Sequence, residues 1–361
     1  MDGEFTAQTA ATVYQCPNCG ATLQFDPDKQ CFACEFCLSE FSEADLKATG
    51  ADDAAKREEE EGRDFSDSLR EYVCDNCGAE IVADADTAAS FCLYCHAPIL
   101  LHGKVSGQMK PHKLIPFKIS RDKAEERFLS FAKKKWFIPR GLFRKGCLEK
   151  MEGVYYPFWV TDADTDCHLE AEATEVHRYT RGNTEVTETR YYDIHRRGDI
   201  HFEDLTTSAL STGDKKMLEG ILPFPSEALT DFSMPYLTGF YAKKRDIERE
   251  QLYGEVKEKM NGYASTILRR TIKGYTTVNP RACGVRVKNS HWEYSLMPVW
   301  VFSYPVKKKM FQYAMNGHTG KIYGMLPVSP GKLAILGGIV FAVGGFLAGL
   351  IAALVMAGGG L

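Results

Sequence analysis

Apolar and polar positions alternate along this chain in three different ways. Over the first hundred residues the apolar positions come as short clusters between cysteines and turn formers, with no sustained period. From about residue 110 to 325 the patterns of helices and strands take turns. From Leu333 to Met356 there are 24 residues without a charge.

In the middle region, Leu114–Ile119 predicts a short strand feeding a helix. Ser120 is its N-cap, Asp122, Glu125 and Glu126 lie in its early turns, and Ala124, Phe128, Phe131 and Trp136 mark its buried face. Lys133–Lys135 close that helix, where cations suit the negative end of the dipole, a reading that outranks a lipid or nucleic-acid patch. Pro139 and Gly141 end the segment. Val154–Val160 is a buried aromatic strand, and strands follow at His168–Thr174 and Thr184–Tyr192, joined by a hairpin at Arg181-Gly182-Asn183. A further turn is expected at Arg197–Asp199, giving an antiparallel meander. Asp246 caps the longest helical pattern, which runs to about Lys273 and is kinked or divided at Asn261-Gly262. Strands return at Gly284–Lys288, Glu293–Tyr304 and Lys309–Met315, with a tight turn over Asn316–Gly320.

The N-terminal region is dominated by its cysteines. Cys16-Pro-Asn-Cys19 precedes Cys34-Glu-Phe-Cys37 by fourteen residues, and Cys74-Asp-Asn-Cys77 precedes Cys92-Leu-Tyr-Cys95 by fourteen. The second set repeats the first at an offset of 58, as do Tyr14 and Tyr72, and Asn18 and Asn76. Two Cys-x-x-Cys pairs at this separation are the ligand set of a four-cysteine structural zinc site. Two Zn2+ sites are therefore expected, held by Cys16, Cys19, Cys34 and Cys37, and by Cys74, Cys77, Cys92 and Cys95. Four sulfurs close the coordination sphere and leave no position for water or substrate. Cys31 is excluded because its counterpart is Ala89, and His96 lies just outside the second site. A disulfide framework would need an oxidising compartment, and the first residues, Met-Asp-Gly-Glu-Phe-Thr-Ala-Gln, carry no signal-peptide pattern.

The expected fold is α+β and multidomain. It comprises a zinc ribbon over 1–42, an acidic linker or helix over 43–70, a second ribbon over 71–102, a mixed antiparallel-β and α domain over 103–330, and a membrane helix with a short tail over 331–361. The linker, with its Glu58–Glu61 run, would leave the ribbons semi-independent. A helix over the uncharged terminal run covers about 36 Å, enough for a ~30 Å hydrocarbon core. Lysines at 307–309, 321 and 332 precede it and none follows, which predicts a single-pass inner-membrane protein with its N-terminus in the cytoplasm. Gly345 and Gly349 form a small-xxx-small step through which helices could associate into an oligomer.

Catalytic signals are absent from the sequence. Gly317–Lys321 imitates a phosphate loop, but its spacing is short and Ile322 follows the lysine. His168, His177, His195 and His201 share the meander without ligand spacing, which favours polar histidines on a strand face over a metal or catalytic cluster. Charge bears on nucleic acid. The net charge is −4, residues 14–41 hold Lys29 against four carboxylates, and residues 72–102 hold no Lys or Arg. A zinc-ribbon nucleic-acid-binding protein linked to transcription or replication is thus the second reading.

The ribbons resemble those of a bacterial family of membrane-anchored proteins with tandem transcription-factor-IIB-type zinc ribbons, often labelled primosomal or helicase-like. The resemblance also rests on Leu114–Ile119, Lys133–Pro139, Gly153–Trp159, Tyr236–Tyr241, Met297–Trp300, Ala314–Lys321 and Leu326-Pro327. His96 departs from it, standing where such ribbons carry Gly. The resemblance implies a non-enzymatic membrane adaptor that recruits cytosolic and membrane proteins, with flotillin-like and phage-shock-type envelope-stress proteins as partners. The helicase label has no ATP-binding motif to support it.

Overall fold

Strands of unusual length set the frame of the molecule. The computed structural model describes residues 9–12, 14–48, 70–74, 80–83, 87–91, 98–101, 110–135, 151–211, 215–306, 309–324 and 329–358. In order, the elements are β1 (Thr9–Thr12), β2 (Leu23–Asp26), β3 (Cys31–Cys34), β4 (Glu40–Phe41), α1 (Glu43–Ala48), β5 (Arg70–Cys74), β6 (Glu80–Ala83), β7 (Thr87–Phe91), β8 (Pro98–Leu101), β9 (Lys113–Leu114) and α2 (Arg121–Lys133). They continue as β10 (Met151–Arg181), β11 (Thr184–Ser208), α3 (Lys215–Gly220), β12 (Thr230–Asp231), β13 (Tyr241–Lys243), α4 (Arg249–Arg270), β14 (Thr277–Val306), β15 (Lys309–Asn316), β16 (Ile322–Gly324) and α5 (Pro330–Gly358). The fold is mixed α and β, as expected. Trp136, Pro139, Gly141 and most of the acidic linker lie outside the described residues.

β10 is the spine. It pairs antiparallel with β14 along one edge, and with β11 along the other from Phe158 onward. Ahead of that point β13 joins the β11 edge in parallel at Val154 and Tyr155. The β10–β11 hairpin closes as expected at Gly182-Asn183, where Gly182 takes a φ of 65° that a side chain would resist. Three expectations change here. The strands over 153–174 are one strand, as are those over 284–304, because register shifts at Thr161/Ala163, Asp164/Thr165 and Glu170/Ala171 absorb the local breaks. Gly198 sits inside β11 opposite Cys167, so Arg197–Asp199 is no turn: uninterrupted pairing with β10 holds it extended. Of Leu114–Ile119, Leu114 alone is in a strand.

The outer half of this ribbon buries one face under α4. Leu252, Val256, Met260, Ala264 and Leu268 recur every four residues along the helix; Val256 through Leu268 share a core with Cys167, Leu169, Ala171 and Ala173 of β10, and Leu252 joins the inner core with Tyr155 and Trp159. That continuous stripe keeps α4 whole through Asn261-Gly262. The helix starts later than expected: Gln251 Oε1 accepts from the Glu248 amide at 2.9 Å, and Asp246 instead accepts the Ser211 amide at 2.8 Å. The opposite face is a ladder of charge pairs, including Arg286–Asp166 at 2.6 Å and Lys288–Asp199 at 2.7 Å. At its inner end β10 is buried on both faces. Tyr155 and Trp159 enter one core, and Phe158 and Val160 enter another with Met217, Leu218 and Ile221.

Candidate metal centre

The first cysteine set lies on two turns of the same backbone design. In one, Cys16 N donates to Ala21 O at 2.6 Å and Gly20 N donates to Cys16 O at 2.8 Å. In the other, Cys34 N donates to Ser39 O and Leu38 N to Cys34 O, both at 3.0 Å. Gly20 and Leu38 hold equivalent places with φ of 74° and 61°, and this left-handed residue turns the chain back so that both sulfurs of a pair face inward. β2 and β3 then pair Leu23 with Cys34 and bring the two turns together.

The four sulfurs of Cys16, Cys19, Cys34 and Cys37 lie within 4.8 Å of one another, with Cys16 3.6 Å from Cys37 and Cys19 3.5 Å from Cys34. A tetrahedron of thiolates about 2.3 Å from zinc has edges of about 3.8 Å. All four are free thiols in this arrangement. Ser39 stands beside the site, with its Oγ 3.2 Å from the Cys37 sulfur and accepting from Asn18 Nδ2 at 2.9 Å. Its hydroxyl and amide draw the Cys37 thiol down to about 6. The Ala21 amide lowers Cys19, but desolvation and the neighbouring sulfurs outweigh it and push that thiol up to about 12. Once one thiolate forms, the others resist ionising, so a cation is what allows all four charges to coexist. The cluster fits a four-thiolate metal ion. Cys31 is not part of it.

Few apolar residues belong to this segment, and they are shared with the body of the protein. Phe25 and Phe32 meet the Tyr236 ring at centroid distances of 5.1 and 5.4 Å. Phe25 N donates to Thr238 O, Gln30 Nε2 donates to Phe117 O at 2.7 Å, and Lys123 pairs with Asp28 at 2.8 Å. The metal turns therefore sit on a platform fixed to the main core, where the linker reading allowed a loose bead. Ser39 and Tyr236 carry no spacing signal that would have identified them.

In the second set, Cys77, Cys92 and Cys95 lie outside the described residues, and Cys74 ends β5. The strands around them repeat the first set's register at the same offset of 58. Tyr72 pairs with Ile81 as Tyr14 bonds Leu23, Ser90 with Ile99 as Phe32 with Phe41, and Phe91 with Pro98 as Ala33 with Glu40. These strands join the main sheet through β7 and β13, and β1 lies between β8 and β5.

The four histidines do not converge among the described residues. His201 faces Asp164 at 2.7 Å, His177 faces Glu175 at 2.9 Å, and His195 and His168 lie opposite Glu170 and Arg197. Asp164 holds the His201 ring above the usual histidine range. The phosphate-loop lookalike is the β15–β16 hairpin turn. At the C-terminus, α5 contains an apolar window, Gly331–Gly349, which is long enough to cross a membrane and which none of the described residues buries.

No protein-family model and no solved structure matches the chain. A curated protein of Bacillus subtilis (strain 168), "Uncharacterized protein YdjG", is 34% identical over 352 residues, spanning 96% of this chain and 98% of its own length.

Proposed function

This chain belongs to the YdjG family along nearly its whole length, and from that premise we propose that it is a non-enzymatic membrane adaptor. Two structural zinc ribbons brace its recruiting surface and α5 holds it at the inner membrane. The observation that carries this reading is the apolar α5, which none of the described residues buries, on a body whose four clustered thiols would by themselves fill a metal's coordination sphere. The ribbons and body would bind cytosolic or membrane proteins, for which flotillin-like and phage-shock-type proteins are the candidates, with the N-terminus in the cytoplasm.

For the second zinc site, with ligands Cys74, Cys77, Cys92 and Cys95, the support is the repeated spacing and the repeated strand register. Elemental analysis of the purified chain is expected to give two zinc per molecule. Cys92→Ser should leave one equivalent in place, and a single equivalent in the unaltered chain would remove the second site.

Recruitment is best tested without cutting the chain, because Phe25 and Phe32 belong to the main core. Phe36 is 84% exposed on the second metal turn. Phe36→Ala should retain zinc and thermal stability while depleting partners recovered from solubilised membranes. An unchanged partner list would count against the ribbons as the recruiting surface. Nucleic acid captured from the solubilised protein, and lost in high salt, would favour the second reading.

A further inference from the structure

α2 advances along the sheet toward the end where β16 stops, six residues ahead of α5. Just before the helix, Ile119 O accepts from Trp300 Nε1 at 2.9 Å. Further along, Phe128 packs on Phe302 and Tyr313, both with centroids 5.0 Å away. From Trp300 to Phe302 is the direction of Val306, where β14 gives way to β15. β16 runs to the same end, since its last residue, Gly324, pairs with Tyr313. Pro330 then opens α5. From Phe128 to Lys134 the helix gains about 9 Å, and from Phe302 to Val306 the strand gains about 13 Å. The end of α2 and the end of β16, from which the chain goes on to the apolar helix within six residues, therefore lie toward the same end of the sheet.

That end of α2 carries Lys133, Lys134 and Lys135, all exposed. Among the described residues none of these amines reaches a carboxylate, and Lys135 Nζ rests 5.2 Å from the Phe131 ring centroid. The acidic residues of the helix, Asp122, Glu125 and Glu126, are on its earlier turns. The dipole accounts for cations at a helix end. It does not account for three together, none with a carboxylate partner among the described residues, at the end of the sheet toward which the chain runs before the apolar helix.

We propose that Lys133, Lys134 and Lys135 contact the anionic headgroups of the bilayer that α5 enters, a second attachment that orients the body on the membrane. The proposal rests on the reading of α5 as a span. Each lysine near an anionic surface favours contact by about fivefold.

The test uses the full chain in lipid nanodiscs, with a photo-crosslinking amino acid in place of exposed Ser130. Cross-linking to lipid is expected to rise several-fold when about one-third of the phosphatidylcholine is replaced by phosphatidylglycerol. It should collapse in ~1 M salt, where the screening length is about 3 Å. The Lys133→Gln, Lys134→Gln, Lys135→Gln triple variant should lose the anionic preference, and the corresponding triple Arg variant should keep it. Matched circular-dichroism melts show that both variants remain folded. Cross-linking indifferent to lipid charge overturns the proposal, as does binding of labelled duplex RNA or DNA that the Gln variant abolishes without any lipid dependence. Alkaline carbonate separates the two levels. A chain retained in the membrane but indifferent to lipid charge defeats this contact alone, and a chain released by carbonate defeats the span and the contact with it.

Discussion

Asn316 and His318 show how a turn motif can be read correctly and its role still be missed. Asn316 Oδ1 accepts the amides of His318 and Thr319 at 3.0 and 2.9 Å, and its Nδ2 donates to Ile221 O and Pro223 O at 3.1 and 3.2 Å. The turn is thus a buried fastening between β15 and the segment after α3. Its sequence shows the turn, because turn chemistry is local, and hides the fastening, because the partners lie some 95 residues away. The cysteine cluster is legible for the same reason, since each turn is set by four neighbouring residues. His318 lies within the fastening, its Nδ1 buried without a hydrogen-bond partner among the described residues. Desolvation, helped by Lys118, holds its ring below the ordinary histidine value of 6.5. The folded state therefore favours the neutral ring. That contribution is complete above the ordinary value and is lost as pH falls through the depressed one. Thermal melts are expected to drop between about pH 7 and about pH 5, with a shallower drop in His318→Gln.

An element's length was harder to read than its type. Glycine inside α4 and inside β11 suggested breaks, yet both elements run through. The deciding information is the facing surface: Val256 through Leu268 have apolar partners on β10, β11 and β14, and Gly198 has a ladder partner in Cys167. No local window contains either partner. If α4 is held by that stripe, its exposed glycines are removable cost. Gly254 and Gly262 have open space where a methyl would go, so Gly254→Ala and Gly262→Ala should each stabilise the protein by about 0.5–1 kcal/mol. Gly153 is the contrast. A methyl there would meet Phe240 Cδ1 at 2.6 Å and Trp300 at 3.1 Å, and Gly153→Ala should cost about 1–3 kcal/mol. Denaturant titration of the solubilised chain reads all three. A loss of stability in Gly262→Ala would point to a break in the helix there.

The whole molecule joins a platform with a four-cysteine cluster, a long ribbon and an apolar helix, and the last is the separable one. Because none of the described residues buries the Gly331–Gly349 window, ending the chain before Ser329 should release the protein into the soluble fraction with its metal content and melting profile unchanged. A truncated chain that sheds its metal or melts early would show that the helix supports the body. The platform is not separable in this way, since the Phe25–Tyr236 contact ties residues more than two hundred positions apart. β1 extends that lesson into time. Its neighbours are β5 and β8, with Thr9 opposite Tyr72 and Ala11 opposite Leu101. At synthesis rates of about 5–20 residues per second, β5 follows β1 from the ribosome after roughly 3–12 s and β8 later still. Through that interval β1 has neither of these two neighbours, while the first cysteine turns, built from near neighbours, already have all four thiols. If the first cluster is filled as it emerges, supply of its metal during translation sets how much of the newborn chain is ordered while β1 waits, and metal-starved cells are where its bare edges would pair with the wrong chain.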